Sequence, residues 1–148
     1  MCHISCQEAQ NALFACWREV DINGGINTHR LYEPDGEFWF GSRGFVNREE
    51  IRRFYAWRRT GKTRTTRHLV LNPIFNCSSS SGSVTADYTL VIFGGAGDAP
   101  IDTAAPNMIA DASAHLVFRD NCWLFRRHQL VPVMVGQGSI KIPDELPE

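Results

Sequence analysis

The first regular pattern begins near Ser5, where apolar side chains at Ala9, Ala12, Leu13, Cys16, Trp17 and Val20 recur every three or four residues. That spacing lines one face of an α-helix. Ser5 with Glu8 three residues later supplies a capping box at its start, and Asn23-Gly24-Gly25 breaks it. A short helical turn is expected around residues 28–32, and Pro34-Asp35-Gly36 then turns the chain into Glu37-Phe38-Trp39-Phe40. This aromatic run suits a strand, which Gly41 and Gly44 end. Asn47 and Glu50 cap a second helix that carries Ile51, Phe54 and Tyr55 on one face and stops at Thr60-Gly61.

Beyond that point the period changes from helical to alternating. Residues 66–76, 83–93, 108–119 and 123–135, rich in Val, Leu, Ile, Phe and Thr, predict four strands. Residues 78–82 form a polar loop, Asp120-Asn121 a hairpin turn, and 94–107 a long Gly- and Pro-bearing loop expected to cover one mouth of the sheet. Residues 136–148, with Pro143 and Pro147, are expected to be a loosely held tail. Helices first and a meander of strands afterwards indicate an α+β fold with the helices packed on one side of the sheet. A strongly curved sheet closed by helices encloses an apolar pocket, the kind of concavity that takes small ligands. One domain over residues 1–148, with its core over about 8–135, is the expected organisation.

Composition narrows the function classes. The chain is 43% apolar and 21% charged, ordinary usage for a folded domain rather than a disordered one. A net charge of −1 gives no long-range field to draw the molecule to nucleic acid or to an anionic membrane. The local basic run through Arg48, Arg52, Arg53, Arg58, Arg59, Lys62, Arg64 and Arg67 reads first as a solvated helix face and its following loop, with an anionic ligand or a subunit contact as the alternatives. Cys2, Cys6, Cys16, Cys77 and Cys122 make an odd set without a CxxC pair or a secretory segment, so a reduced, cytoplasmic protein is expected. Cys2, His3 and Cys6 crowd the start of the chain but lack a fourth ligand at metal-site spacing. No apolar run reaches the length of a membrane span.

Four strings carry a family resemblance: Arg30-Leu31-Tyr32-Glu33-Pro34-Asp35-Gly36-Glu37-Phe38, Asn47-Arg48-Glu49-Glu50-Ile51-Arg52-Arg53-Phe54-Tyr55, Thr66-Arg67-His68-Leu69-Val70-Leu71-Asn72, and Asp120-Asn121-Cys122-Trp123-Leu124-Phe125-Arg126-Arg127. With the order of elements, they resemble the SnoaL-like branch of the NTF2-like superfamily, cone-shaped α+β proteins. The resemblance implies a homodimer formed through the sheet. It also implies dehydratase, isomerase or cyclase chemistry on an apolar carbonyl- or hydroxyl-bearing metabolite, including those of secondary metabolism. The same fold serves binding proteins and the non-catalytic β subunits of ring-hydroxylating dioxygenases, so it does not by itself choose between an enzyme and an assembly module.

His68 is the leading catalytic candidate. The resemblance implies that the histidine of a Thr-x-His string faces the cavity, and an imidazole with an ordinary pKa near 6.5 is the natural proton carrier at neutral pH. Alternation places Asn72 on the same face of the strand, which is either pocket or exterior. Asp21 falls where the resemblance implies a pocket aspartate able to orient His68; read from its neighbours, it is equally a helix terminator before Asn23-Gly24-Gly25. Where scytalone dehydratase would have a second pocket histidine, this chain has Ala86-Asp87-Tyr88. Tyr88 could donate to a carbonyl or enolate, or could pack as a cross-strand aromatic. Trp17, Tyr32, Trp39, Phe54 and Tyr55 would supply aromatic walls, and His115, sharing a face with Asp111 and Ser113, lies in the pocket or on the outer face. His29 and His128 have no evident partners. With no phosphate-cradling loop, metal-ligand cluster or nucleophile elbow in the sequence, a reaction without a cofactor is expected.

Overall fold

The computed structural model describes residues 6–78 and 82–148. Helix α1 (Cys6–Asn23) buries Ala9, Leu13, Cys16, Trp17 and Val20, the face that the spacing predicts. Its predicted cap, Ser5, lies outside the described residues. At the other end the Glu19 carboxylate accepts from Asn23 Nδ2 at 2.8 Å and from the Asn27 amide at 2.9 Å, which holds the turn that follows. Gly25 is required there: its φ is +80°, and a Cβ would stand 2.4 Å from the Tyr55 ring. Helix α2 (Arg48–Arg58) starts as predicted, with Asn47 Oδ1 accepting from the Glu50 amide at 3.0 Å and the Glu50 carboxylate reaching back to the Val46 amide at 2.7 Å.

The six strands are β1 (Tyr32–Phe40), β2 (Arg43–Val46), β3 (Arg64–Ser78), β4 (Ser83–Ala96), β5 (Met108–Arg119) and β6 (Cys122–Val135). They form one mixed sheet in the order β2-β1-β6-β5-β4-β3, antiparallel throughout except that β1 runs parallel to β6. The four strands of the meander fall where alternation predicts them. Two features were not foreseen. Strand β1 ends before Gly41 as expected, but the chain turns there and strand β2, which contains Gly44, pairs back on β1. Strand β1 begins at Tyr32 rather than Glu37, because a register shift between these residues absorbs Pro34, which has no N–H to give a ladder. At the Asp120-Asn121 turn both residues have positive φ, +52° and +66°, which matches a hairpin of the primed type.

The inward face of the sheet carries Val84, Ala86, Tyr88 and Leu90 on β4 and Ala110, Ala112, Ala114 and Leu116 on β5, all buried. The small side chains on β5 leave depth for the aromatic residues of α1, α2 and β1. Glu33, fully buried, ion-pairs with Arg119 at 3.0 Å and Arg126 at 3.3 Å, and so ties β1 to the β5–β6 hairpin. Among the described residues, no helix is long and apolar enough to cross a membrane.

Two expectations about the open end of the cone are corrected. Loop residues Ile101, Asp102, Thr103, Ala104 and Ala105 lie against Thr65, Thr66 and Arg67 beside the sheet, around a separate space of about 280 Å³, and of this loop Asn107 is the residue that helps to close the cone. The segment after β6, read as a loose tail, closes the cone with it. Gly136 N donates to Asn107 O at 2.8 Å, Asn107 Nδ2 donates to Gly138 O at 3.2 Å, and Arg53 donates to Leu146 O at 2.7 Å. Ile140, Ile142 and Leu146 pack on the core, so apolar burial and not sequence position decides how this end is held.

The reading of uniformly reduced cysteines is also corrected, since Cys6 and Cys77 form a disulfide that joins the start of α1 to β3, with Cα atoms 5.8 Å apart. Cys16 is buried and Cys122 exposed. Burial, with Glu19 nearby, pushes the Cys16 thiol well above its ordinary range and suppresses its thiolate. Alkylation of the native protein without reductant is expected to modify Cys122 while sparing Cys6, Cys16 and Cys77. Reduction should open Cys6 and Cys77 to label, as read by peptide mass. Equal labelling of Cys77 and Cys122 before reduction would show that the bond does not form.

Candidate active site

Inside the cone, α1 and β3 bring Asp21 and His68 together. His68 Nδ1 lies 2.6 Å from Asp21 Oδ1, and the His68 backbone N–H donates to Asp21 Oδ2 at 2.8 Å. Thr66 Oγ1, two residues earlier on the same face of β3, donates to Asp21 Oδ1 at 3.0 Å. Three donors therefore converge on one carboxylate. With Asp21 accepting from all three, the ring proton of His68 lies on Nδ1, which leaves Nε2 as the nitrogen able to take a proton. The pair is well buried, with side-chain exposures of 5% for His68 and 8% for Asp21. Burial lowers the His68 pKa, the Asp21 contact and charge oppose that lowering, and the Arg58 charge adds to it. The net direction is downward, so at neutral pH His68 is an uncharged base.

Trp17 fixes the ring of His68 in place. The indole stacks on the imidazole with centroids 4.7 Å apart and planes 8° from parallel. The other edge of the indole donates from Nε1 to Tyr88 Oη at 3.0 Å. Tyr88 Oη also meets His128 Nε2, and Tyr32 Oη meets His128 Nδ1 at 3.1 Å. His128 is fully buried, stacks on Phe125 with centroids 4.6 Å apart, and has its pKa lowered by burial to about 3. A neutral imidazole suits this place: one ring nitrogen donates to a phenol oxygen and the other accepts from a phenol O–H. The result is a polar chain, Trp17–Tyr88–His128–Tyr32, that links α1, β4, β6 and β1 behind the Asp21–His68 pair.

The cavity itself is bounded by Trp17, Phe38, Phe54, Tyr55, His68, Ile92, Met108 and Leu130, with Arg58, Arg64 and Thr66 on one side and Gly138, Ser139 and Ile140 across its mouth. Its free volume is about 40 Å³, room for a few water molecules but not for a ring system.

A sequence profile of the SnoaL-like domain matches residues 7–129. The chain belongs to the SnoaL-like domain family. No curated protein sequence matches it. Solved structures with the same fold include a Novosphingobium aromaticivorans protein assigned as a scytalone dehydratase, at TM-score 0.73 and 16% identity, over 96% of this chain and 94% of that one. The β subunit of benzoate 1,2-dioxygenase from Burkholderia mallei superposes with TM-score 0.72 at 15% identity, over 90% of this chain and 93% of its own. A Catenulispora acidiphila protein in complex with S-DNPA gives TM-score 0.71 at 18% identity, over 85% and 91%.

Within this SnoaL-like domain the candidate residues divide into three groups. Trp17, Phe54, Tyr55 and His68 line the cavity, with Asp21 directly behind His68. Tyr32 and Tyr88 are buried one layer back, where their hydroxyls serve His128 rather than the cavity. Trp39, Asn72 and His115 are not brought to the cavity. Trp39 packs at the surface under the Arg127 guanidinium, 5.1 Å from its ring centroid, and donates to Glu37 at 3.3 Å. Asn72 is exposed, because a register shift between Leu71 and Ile74, with Asn72 at φ +51°, interrupts the alternation that would have placed it beside His68. His115 lies on the face opposite buried Ala114 and Leu116, its Nε2 2.8 Å from Ser83 Oγ.

His128, Thr66 and Arg58 were not singled out. His128 was hidden because Arg126 and Arg127 are both exposed, and the accompanying shift between β5 and β6 turns the next residue inward. Read as a bulge, that arginine doublet puts His128 in phase with buried Leu130, a signal the sequence did contain. Arg58 was read as part of a solvated face, but it is half-buried at the cavity wall.

Proposed function

We propose that this SnoaL-like domain is a cofactor-independent lyase or isomerase/cyclase for a small apolar carbonyl- or hydroxyl-bearing metabolite, with His68 as the acid/base. The observation that carries the reading is the Asp21–His68 pair at the wall of an aromatic cavity, with Nδ1 engaged and Nε2 left over. In the proposed chemistry His68 Nε2 removes a proton from the carbon next to a carbonyl, the electron pair moves into an enolate, and Asp21 stabilises the imidazolium that forms. The imidazolium then returns that proton, either to a departing hydroxyl, which leaves as water, or to another carbon. The first outcome is dehydration and the second isomerisation; both balance without a redox partner. Trp17 holds the ring as a positioning residue, and Phe54 and Tyr55 wall the substrate.

Ring-signal NMR of the histidines, assigned with His68→Gln and run with and without aromatic ketones, tests this. The expected His68 pKa lies below 6.5 and moves when a ketone binds. A His68 that titrates as in water and ignores every ketone would remove the catalytic assignment. A second reading, an assembly module, is favoured by the likeness to the dioxygenase β subunit and by the exposed Leu69, Leu71, Val131 and Val133 on the sheet. We propose that two copies pair through this sheet. Light scattering that finds a dimer of this chain alone supports the pairing, and co-elution with a different polypeptide in place of self-pairing supports the module.

A further inference from the structure

The cavity and its neighbour share an unusual wall. A second space of about 260 Å³ lies just outside the cone, bounded by Trp57, Arg58, Thr60, Arg64, Ile140 and Lys141. Arg58, Arg64 and Ile140 bound both spaces, so Ile140 stands between an apolar interior and a basic antechamber. Among the described residues the arginine ion pairs are Arg52 with Glu49, Arg119 and Arg126 with Glu33, and Arg127 with Glu37; neither Arg58 nor Arg64 has a carboxylate partner. An exposed guanidinium needs none, but Arg58 is half-buried, at the C-terminal turn of α2, with a second guanidinium close by. Burial and Arg64 press against its charged form, and Tyr55 and the Asp21 carboxylate, too far away to pair with it, oppose them in part. A third cation, Lys141, completes the rim, and no acid stands among the residues bounding this outer space.

We infer that the site takes an apolar carboxylic acid, its rings in the aromatic cavity and its carboxylate held between Arg58 and Arg64. The inference rests on the proposal that this cavity is the substrate site. Paired guanidiniums present planar forks that match a carboxylate, and a charge-assisted bond in a half-buried place is stronger than one in water. The free volume also requires it to be read with the antechamber: about 40 Å³ admits no ring unless Ile140 yields, and its yielding joins the apolar space to the basic one. An acid of this shape would have its reacting carbon under His68 and its charge at the rim. Its carboxylate would also neutralise the Arg58 charge that depresses His68, so binding would make the base stronger.

Calorimetric titration with 2-naphthylacetic acid and its primary amide, matched in rings and differing in charge, tests the inference while His68 ring signals are followed. The acid is expected to bind at least roughly tenfold more tightly than the amide, with the gap narrowing as salt rises. Arg64→Gln, at an exposed position, should shrink the gap, and adding Arg58→Gln should abolish it by weakening the acid more than the amide. Equal binding of acid and amide, or a preference that survives the double variant, overturns the acid assignment and leaves the cavity reading standing if His68 still responds. If neither compound binds or moves His68, the cavity is not the substrate site and the inference falls with it.

Discussion

On acidification the fold is expected to lose about 5 kcal/mol through His128 alone, between its ordinary pKa of 6.5 and its folded value of about 3. The sign follows from proton counting. Burial lowers the folded pKa, so between the two values the unfolded chain binds a proton that the native chain does not. Stability is fully present above pH 6.5 and drains away as pH falls towards 3. Protonation would also turn both ring nitrogens into donors, and Tyr88 Oη already accepts from Trp17. By pH 4 the loss should be about 3 kcal/mol, a large share of the margin of a single domain. His68, whose pKa is also lowered, adds in the same direction. Urea unfolding at a series of pH values checks this with His128→Gln as the comparison. The variant should be less stable than the native protein at pH 7, because it disturbs the two tyrosine hydroxyls, yet lose about 3 kcal/mol less between pH 7 and pH 4. Parallel pH profiles for the two proteins would mean that His128 is not the buried neutral base described.

The cone was legible wherever one period governed a segment. Ala9 to Val20 at helical spacing, Asn47 with Glu50, and Ala110, Ala112 and Ala114 in alternation each mark a face that tertiary packing then buries. What alternation could not show was its own interruptions. A single extra residue reverses every side chain beyond it, so the shift at Leu71 carried Asn72 out to solvent, and the shift beside Arg126 brought His128 in. The parallel pairing of β1 with β6 is equally invisible locally, since it joins segments about ninety positions apart and depends on both closing over the same core. The Asp21–His68 contact is of this kind too. The residues suggest each other only through resemblance, and the hydrogen bond exists because the last turn of α1 packs against β3.

The replacement of an expected pocket histidine by Tyr88 has a structural answer. Tyr88 does not bound the cavity; its hydroxyl faces His128, contributed by another strand, and receives the Trp17 N–H. Trp17 is therefore held at both sides, by stacking on one histidine and by a chain that ends on the other. Such a satisfied network makes the ring position of His68 a property of the whole cone rather than of β3 alone.

Asp21→Asn is expected to cut proton transfer by roughly 10²- to 10⁴-fold while leaving the fold in place. The carboxylate accepts from three donors, and an asparagine offers a single acceptor oxygen. If that oxygen takes the Oδ2 position and keeps the His68 backbone N–H, the amide nitrogen takes the Oδ1 position and donates to Nδ1, and the Thr66 hydroxyl turns to accept from it. The ring proton then moves to Nε2, the atom that should act as base. Nitrogen shifts of the His68 ring check this without any substrate: Nδ1–H in the native protein and Nε2–H in Asp21→Asn. The charge makes a second prediction of known sign. Asp21 opposes the lowering of the His68 pKa, so its loss should carry that pKa further down and shift the acid limb of any rate profile to lower pH. His68→Ala should abolish exchange of a bound ketone's α-proton in D₂O, with a melting temperature close to native. Exchange that continues undiminished in both variants would place the base elsewhere, and an Nδ1–H tautomer retained in Asp21→Asn would show that the carboxylate does not set the state of the ring.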